Sequence, residues 1–172
     1  MKVYLDNVIV SGKVLNDLAP SDEMVAVNEI EKLASQGRLE LFTSRESWRE
    51  QDRTHNPERR AKLEKARPDI VVVQKDHEVV GFSHIQDRYG GFVAGPLVTD
   101  VIDNSLFGNF KALGLDNADA RHLMYAACNG CKRFVTLDHH FLSRRNALEA
   151  YCQGISIVKP SELISEMQGE SK

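Results

Sequence analysis

Two short apolar runs, Val3-Tyr4-Leu5 and Phe134-Val135-Thr136-Leu137, each end on an aspartate, Asp6 and Asp138. Runs of this length suit buried strands. A second apolar stretch, Val8 to Val10, follows Asp6, so the opening reads as a buried strand. Met24, Val27, Ile30, Leu33 and Ala34 recur at helical spacing, with Ser21 as an N-cap before them and Gly37 just after. Leu39, Leu41 and Thr43 alternate as in a strand, and Ser44 to Arg67 reads as two helices broken at Asn56-Pro57. Ile70 to Val73 is too short for a helix and is expected as a third strand. Asp116 caps a helix with the apolar face Ala120, Leu123, Met124, Ala127 and Cys128, which Asn129-Gly130 stops. Leu142 to Tyr151 reads as helix, Ile155 to Val158 as strand, and Pro160 opens a last helix. Strands alternating with helices predict an α/β fold, three layers α/β/α around a central parallel sheet.

A chain of 172 residues, 42% hydrophobic, is long enough for one core, so a single domain over 1–172 is expected. The segment 75–114 is less typical: Gly81, Gly90, Gly91, Gly95 and Gly108 punctuate Phe82, Tyr89, Phe92, Phe107 and Phe110, aromatics expected in the core. Lys and Arg total 22 against 25 Asp and Glu, a net charge of -3, which excludes a polybasic arm that holds nucleic acid or an anionic membrane by charge alone. No apolar run approaches the ~20 residues that span a bilayer, and Asp6 interrupts the first apolar stretch, so a soluble, cytoplasmic protein with no membrane partner is expected. Three cysteines, Cys128, Cys131 and Cys152, do not make a secreted disulfide framework, and Cys128 lies on an apolar helix face, so they are read as core thiols.

In an open parallel sheet, ligands sit outside the carboxyl ends of the strands, where Asp6 and Asp138 fall. Asp119 lies in the first turn of its helix, where the helix dipole favours a carboxylate, and Glu46 and Glu50 share a helix face four residues apart. Four carboxylates from four segments would repel unless they surrounded a hard cation such as Mg²⁺ or Mn²⁺. Such a site suits phosphodiester hydrolysis. Taken singly, each of these acids also serves as an ordinary cap or solvated surface group.

The segments KVYLDNVIVSG, DNADARHLMYAACNGCKRFVTLDHHF and SIVKPSELI, with SRESWREQ less specifically, make the chain resemble the PIN-domain nucleases, among them the small toxin-like ribonucleases. The first carries a strand closing on Asp and then Asn; the second an Asp-Ala helix start, an alanine-rich helix, an apolar strand and Thr-x-Asp. The resemblance implies a PIN-like fold and a metal-dependent endoribonuclease using Mg²⁺ or Mn²⁺. It assigns both catalysis and metal binding to Asp6, Glu50, Asp119 and Asp138, with Asn7, Thr136, Glu46 and His140 as supporting residues, His140 near the phosphate or on the surface. Glu50 is preferred to Glu46 because the family's acid falls about two turns into this helix. Where the family often has a further acid, two residues past the Thr-x-Asp aspartate, this chain has His140, a departure that bears on a second metal. The implied partners are RNA, an antitoxin protein and a second copy of the chain in a homodimer. Residues 75–114 have no counterpart in the resemblance.

Arg144 and Arg145 follow Asp138 closely and are candidates to hold RNA phosphates, with a solvated helix turn as the equal alternative. Arg59, Arg60, Lys62, Lys65 and Arg67, interleaved with Glu58 and Glu64, read as an exposed helix face. Cys131 with His139, His140 or Asp138 lacks the second ligand pair of a zinc site. Two other functions compete with the ribonuclease. One is an inactive PIN scaffold that binds RNA or protein. The other is a phospho-acceptor signalling domain, which wants an acid at Asn7 and a strand-ending lysine, for which Lys159 is the candidate.

Overall fold

The computed structural model describes residues 1–86, 92–152 and 154–169, and side chains outside 81–95. Four parallel strands, β1 (Lys2–Leu5), β2 (Glu40–Phe42), β5 (Arg133–Val135) and β6 (Ser156–Val158), form one sheet in the order β2-β1-β5-β6. Register places Tyr4 beside Phe42 and Phe134, and Phe134 beside Ile157. Side chains alternate across a strand, so this row faces one side while Val3, Leu5, Val135 and Val158 face the other. Both faces are therefore apolar, as expected of a parallel sheet flanked by helices.

On the first face lie α5 (Asn104–Ala112), α6 (Asn117–Cys128), α7 (His139–Leu142) and α8 (Arg145–Glu149), burying Phe110, Leu123, Met124, Phe141 and Leu148 against Tyr4 and Phe134. The Tyr4 and Phe134 rings stack with centroids 5.4 Å apart. The second face is covered by α1 (Asn7–Leu15), α2 (Ser21–Ser35) and α9 (Pro160–Gly169), through Ile9, Val27, Ile30, Leu33, Leu163 and Met167. Glu23, itself buried on α2, accepts from the backbone and hydroxyl of Ser161, capping α9. Between β2 and the hairpin lie α3 (Arg45–Asp52) and α4 (Pro57–Ala66). The hairpin itself, β3 (Glu78–Gln86) and β4 (Phe92–Thr99), is a separate antiparallel sheet within the segment 75–114.

Several expectations from sequence need correction. Val8 to Val10 is not strand: Asp6 turns the chain at once into α1, whose apolar residues Ile9 and Val10 pack inward at helical spacing. Ile70 to Val73 is not a strand either; only Val72 bridges Thr43, because a 3₁₀ turn at Arg67–Asp69 leaves a single residue in register with the sheet edge. Leu142 to Tyr151 splits into α7 and α8, and Ser21 is the first residue of α2 while Pro20 holds the cap position. Phe110 is buried and Phe107 partly so, whereas Phe82, Tyr89 and Phe92 lie outside the described side chains. Cys131 and Cys152 are buried, and desolvation pushes their thiols up to about 11 and about 12. Among the described residues no helix is long and apolar enough to cross a membrane.

Candidate active site at the strand ends

Because β1 and β5 are parallel neighbours, both deliver their next residues to one edge of the sheet. The backbone N–H of Asp6 still donates to Val135 O at 3.0 Å, so Asp6 sits one step beyond the last ladder rung. Its backbone is extended and its side chain accepts from Asn7 N at 2.7 Å, making it the N-cap of α1. Thr136, fully buried, joins the two strand ends: its hydroxyl donates to Asp6 Oδ2 at 2.6 Å and accepts from Asp138 N at 2.9 Å. Asp138 caps α7 by accepting from His140 N at 2.6 Å. The spacing Thr-x-Asp thus has a local physical meaning, since one hydroxyl holds the carboxylate of Asp6 and the backbone of Asp138.

Asp119 comes from the first turn of α6, above Asp116, which accepts its N–H at 2.9 Å. Burial, then the charges of Asp116, Asp6, Asp138 and Glu50, push the Asp119 carboxyl up to about 7. Asp6, 5% exposed, is pushed up to about 6 chiefly by burial, with Glu50 adding to it and His122 and the Thr136 hydroxyl opposing. The four predicted acids therefore share one electrostatic neighbourhood. Among the described residues none of them is ion-paired to Lys or Arg.

Glu46 goes elsewhere. Fully buried, it accepts from Arg49 at 3.0 Å and from Arg121 at 3.3 Å, and Arg49 continues to Asp100 at 2.9 Å. Asn7 ties α1 to α3, its Oδ1 accepting from Ser11 Oγ at 2.8 Å and Gln51 Nε2 at 3.3 Å. The His140 side chain is exposed. Arg145 is engaged by Glu162 at 3.1 Å, and Arg144 donates to the His140 carbonyl at 3.2 Å. Arg59 pairs with Asp17 at 2.6 Å and Arg67 with Asp52 at 2.6 Å, so part of the α4 basic stretch serves to fasten that helix.

Sequence reading did not single out His122. It is fully buried on α6, with Nε2 3.0 Å from Glu50 Oε2 and Nδ1 2.7 Å from the Tyr4 hydroxyl, which donates onward to Ser44 Oγ at 2.7 Å. Burial opposes charge on this ring most strongly, yet Glu50, Asp6 and Glu46 outweigh it and hold its pKa above the ordinary value. The one available signal was its i, i+3 spacing from Asp119.

The donor set, four carboxylates partly withdrawn from water and left with excess negative charge, has the chemistry of a hard-cation site. As the side chains stand, no three His, Cys, Asp or Glu groups among the described residues are close enough together to hold an ion. Comparison with protein-family models, curated proteins and solved structures returned no match to this chain.

Proposed function

We propose that the chain is a PIN-like α/β/α nuclease, a metal-dependent endoribonuclease whose Asp6, Glu50, Asp119 and Asp138 hold Mg²⁺ or Mn²⁺. The observation that carries this reading is geometric: the Thr136 hydroxyl joins Asp6 Oδ2 to the Asp138 backbone at one sheet edge, and Asp119, whose carboxyl is raised first by burial and then by Asp116, Asp6, Asp138 and Glu50, lies beside them while Lys and Arg pair with other acids. Acids used only as caps have no reason to gather from four segments at one sheet edge. A bound divalent cation would supply the positive charge that lets an RNA phosphate approach and would acidify a water for attack on phosphorus. The chain's own part is to orient: Thr136 fixes Asp6 and the Asp138 backbone, and the α6 N-terminus presents Asp119. Arg144, with its guanidinium on the α7 carbonyl of His140, is the nearer of the two arginines to free use by a phosphate.

A second reading, a scaffold that binds RNA without cutting it, draws on the finding that no three His, Cys, Asp or Glu groups among the described residues are placed to hold an ion. Incubation with single-stranded and structured RNA in Mn²⁺, Mg²⁺ or EDTA, beside Asp6→Asn, tests both. Metal-dependent cleavage absent from the variant supports the nuclease. Binding without cleavage under every condition supports the scaffold.

A further inference from the structure

We propose that His122 is a positioning residue for Glu50, holding that carboxylate at the acid pocket from a fixed place in the core. The inference rests on the metal-site reading above and extends it to a residue outside the four acids.

A fully buried imidazole is tolerated when both ring nitrogens are partnered, and here both are. The donor directions follow from the partners. Tyr4 has one hydroxyl proton and gives it to Ser44, so Nδ1 donates to the tyrosine oxygen. An ionised carboxylate only accepts, so Nε2 donates to Glu50. The Nε2–H is present whether the ring is charged or is the Nε2–H tautomer with the hydroxyl protons reversed, so the contact does not depend on the protonation of His122.

The chain of contacts closes on itself. Ser44 occupies the N-cap position of α3 and Glu50 lies near the end of the same helix. Ser44 to Tyr4 to His122 to Glu50 therefore straps α3 across β1 and α6, with every member except Glu50 fully buried. Glu50, part-exposed and without a Lys or Arg partner among the described residues, faces Asp6 and Asp119, whose like charges would drive it toward solvent. The imidazole is what opposes that swing. Because Asp119 and His122 lie three residues apart on α6, one helix face supplies both a site acid and the holder of another.

The test is Mn²⁺ titration of the full chain by calorimetry, for wild type, His122→Gln, His122→Asn, Glu50→Gln and the double variant Glu50→Gln/His122→Asn, with thermal melts of each. Glutamine keeps an N–H donor near the position of Nε2, whereas asparagine reaches Tyr4 but not Glu50. We expect His122→Asn to weaken Mn²⁺ about 10–100-fold, the range for removing a partner that orients a ligand. His122→Gln should stay within a few-fold of wild type, and His122→Asn should cost nothing further once Glu50 is Gln. An equal loss in both backgrounds overturns the proposal, because it shows a general structural effect. So does wild-type affinity in His122→Asn while Glu50→Gln is weakened, an outcome that leaves the metal site standing. If wild type binds no Mn²⁺, the metal-site reading fails and this one falls with it.

Discussion

Glu46 and Glu50 stand one turn apart on α3 and meet opposite electrostatic surroundings. Glu46 is fully buried between two guanidinium groups, and Arg49 passes the charge on to Asp100, so anions and cations balance locally. Glu50 faces Asp6 and Asp119 with a single imidazole for company. The first cluster is what folding alone would select, because a buried charge is tolerated when paired. The second has no Lys or Arg partner among the described residues, and Asp6 and Asp119, raised first by burial and then by neighbouring acids, hold their protons more tightly. Uncompensated charge at a strand edge needs a reason outside the fold, and a cation is the simplest one.

The largest way to break this contrast is to neutralise the uncompensated side. Asp6→Asn, Asp119→Asn and Asp138→Asn each remove a proposed anionic ligand while keeping shape, and RNA cleavage should fall at least about a hundredfold in each. Undiminished cleavage by any one of these folded variants removes that residue from the site.

A sharper form uses the two glutamates against each other. Glu50→Gln should abolish cleavage with little change in melting temperature. Glu46→Gln should keep most of the activity but lose about 1.5–3 kcal/mol of stability, since Arg49 and Arg121 each lose a charged acceptor. Denaturant unfolding and cleavage assays on the same preparations read both quantities. Reversed outcomes would exchange the roles assigned to the two clusters.

Why one glutamate belongs to structure was not legible in the sequence. Their i, i+4 spacing puts both on one helix face, and the deciding partner, Arg121, is 75 residues away. Asp6 and Asp138 were legible because each ends an apolar run, and Asp119 because Asp116 marks the helix start two residues before the alanine-rich face. His122 was hidden beside Leu123 and Met124, and its one signal, the i, i+3 spacing from Asp119, does not set a lone histidine apart from the core face. The helix α1 was missed for a related reason: Val8 to Val10 continues the apolar character of β1, and only the cap formed by Asp6 separates strand from helix. Pairing of β3 with β4 depends on backbone register, which glycine-punctuated segments such as 78–99 display weakly.

Acidity offers a smaller lever on the same contrast. Folded-state values of about 6 for Asp6 and about 7 for Asp119 lie above the ordinary carboxyl value, about 3.9, expected of the unfolded chain. Between those limits the folded state binds more protons, so metal-free stability should fall as pH rises from about 4 to 7. His122 works in the same direction, its raised pKa contributing stability that is lost as the pH climbs through it. Metal must displace the carboxyl protons, so Mn²⁺ affinity should rise by up to about tenfold per pH unit for each proton displaced between 5.5 and 7, and level off above about 8. Affinity that is flat across that interval would mean that Asp6 and Asp119 do not ligate the ion.

The smallest expected effect is also the one that separates cap from ligand at Asp119. In EDTA its carboxylate adds to the repulsion from Asp116, Asp6, Asp138 and Glu50, so Asp119→Asn should melt higher than wild type at pH 8, by a few degrees. Saturating Mn²⁺ should reverse the order, because an ion that binds only the folded state stabilises wild type more than a variant missing a ligand. A carboxylate serving the helix dipole behaves oppositely: removing its charge from the first turn of α6 would lower the melting temperature, and metal would not alter the difference. The capping hydrogen bond itself comes from Asp116, so it survives the substitution and does not confuse the reading. Four melts, two proteins with EDTA and with Mn²⁺, decide the question. A variant that melts lower in EDTA and responds to Mn²⁺ as wild type does would return Asp119 to the balanced, structural class to which Glu46 belongs.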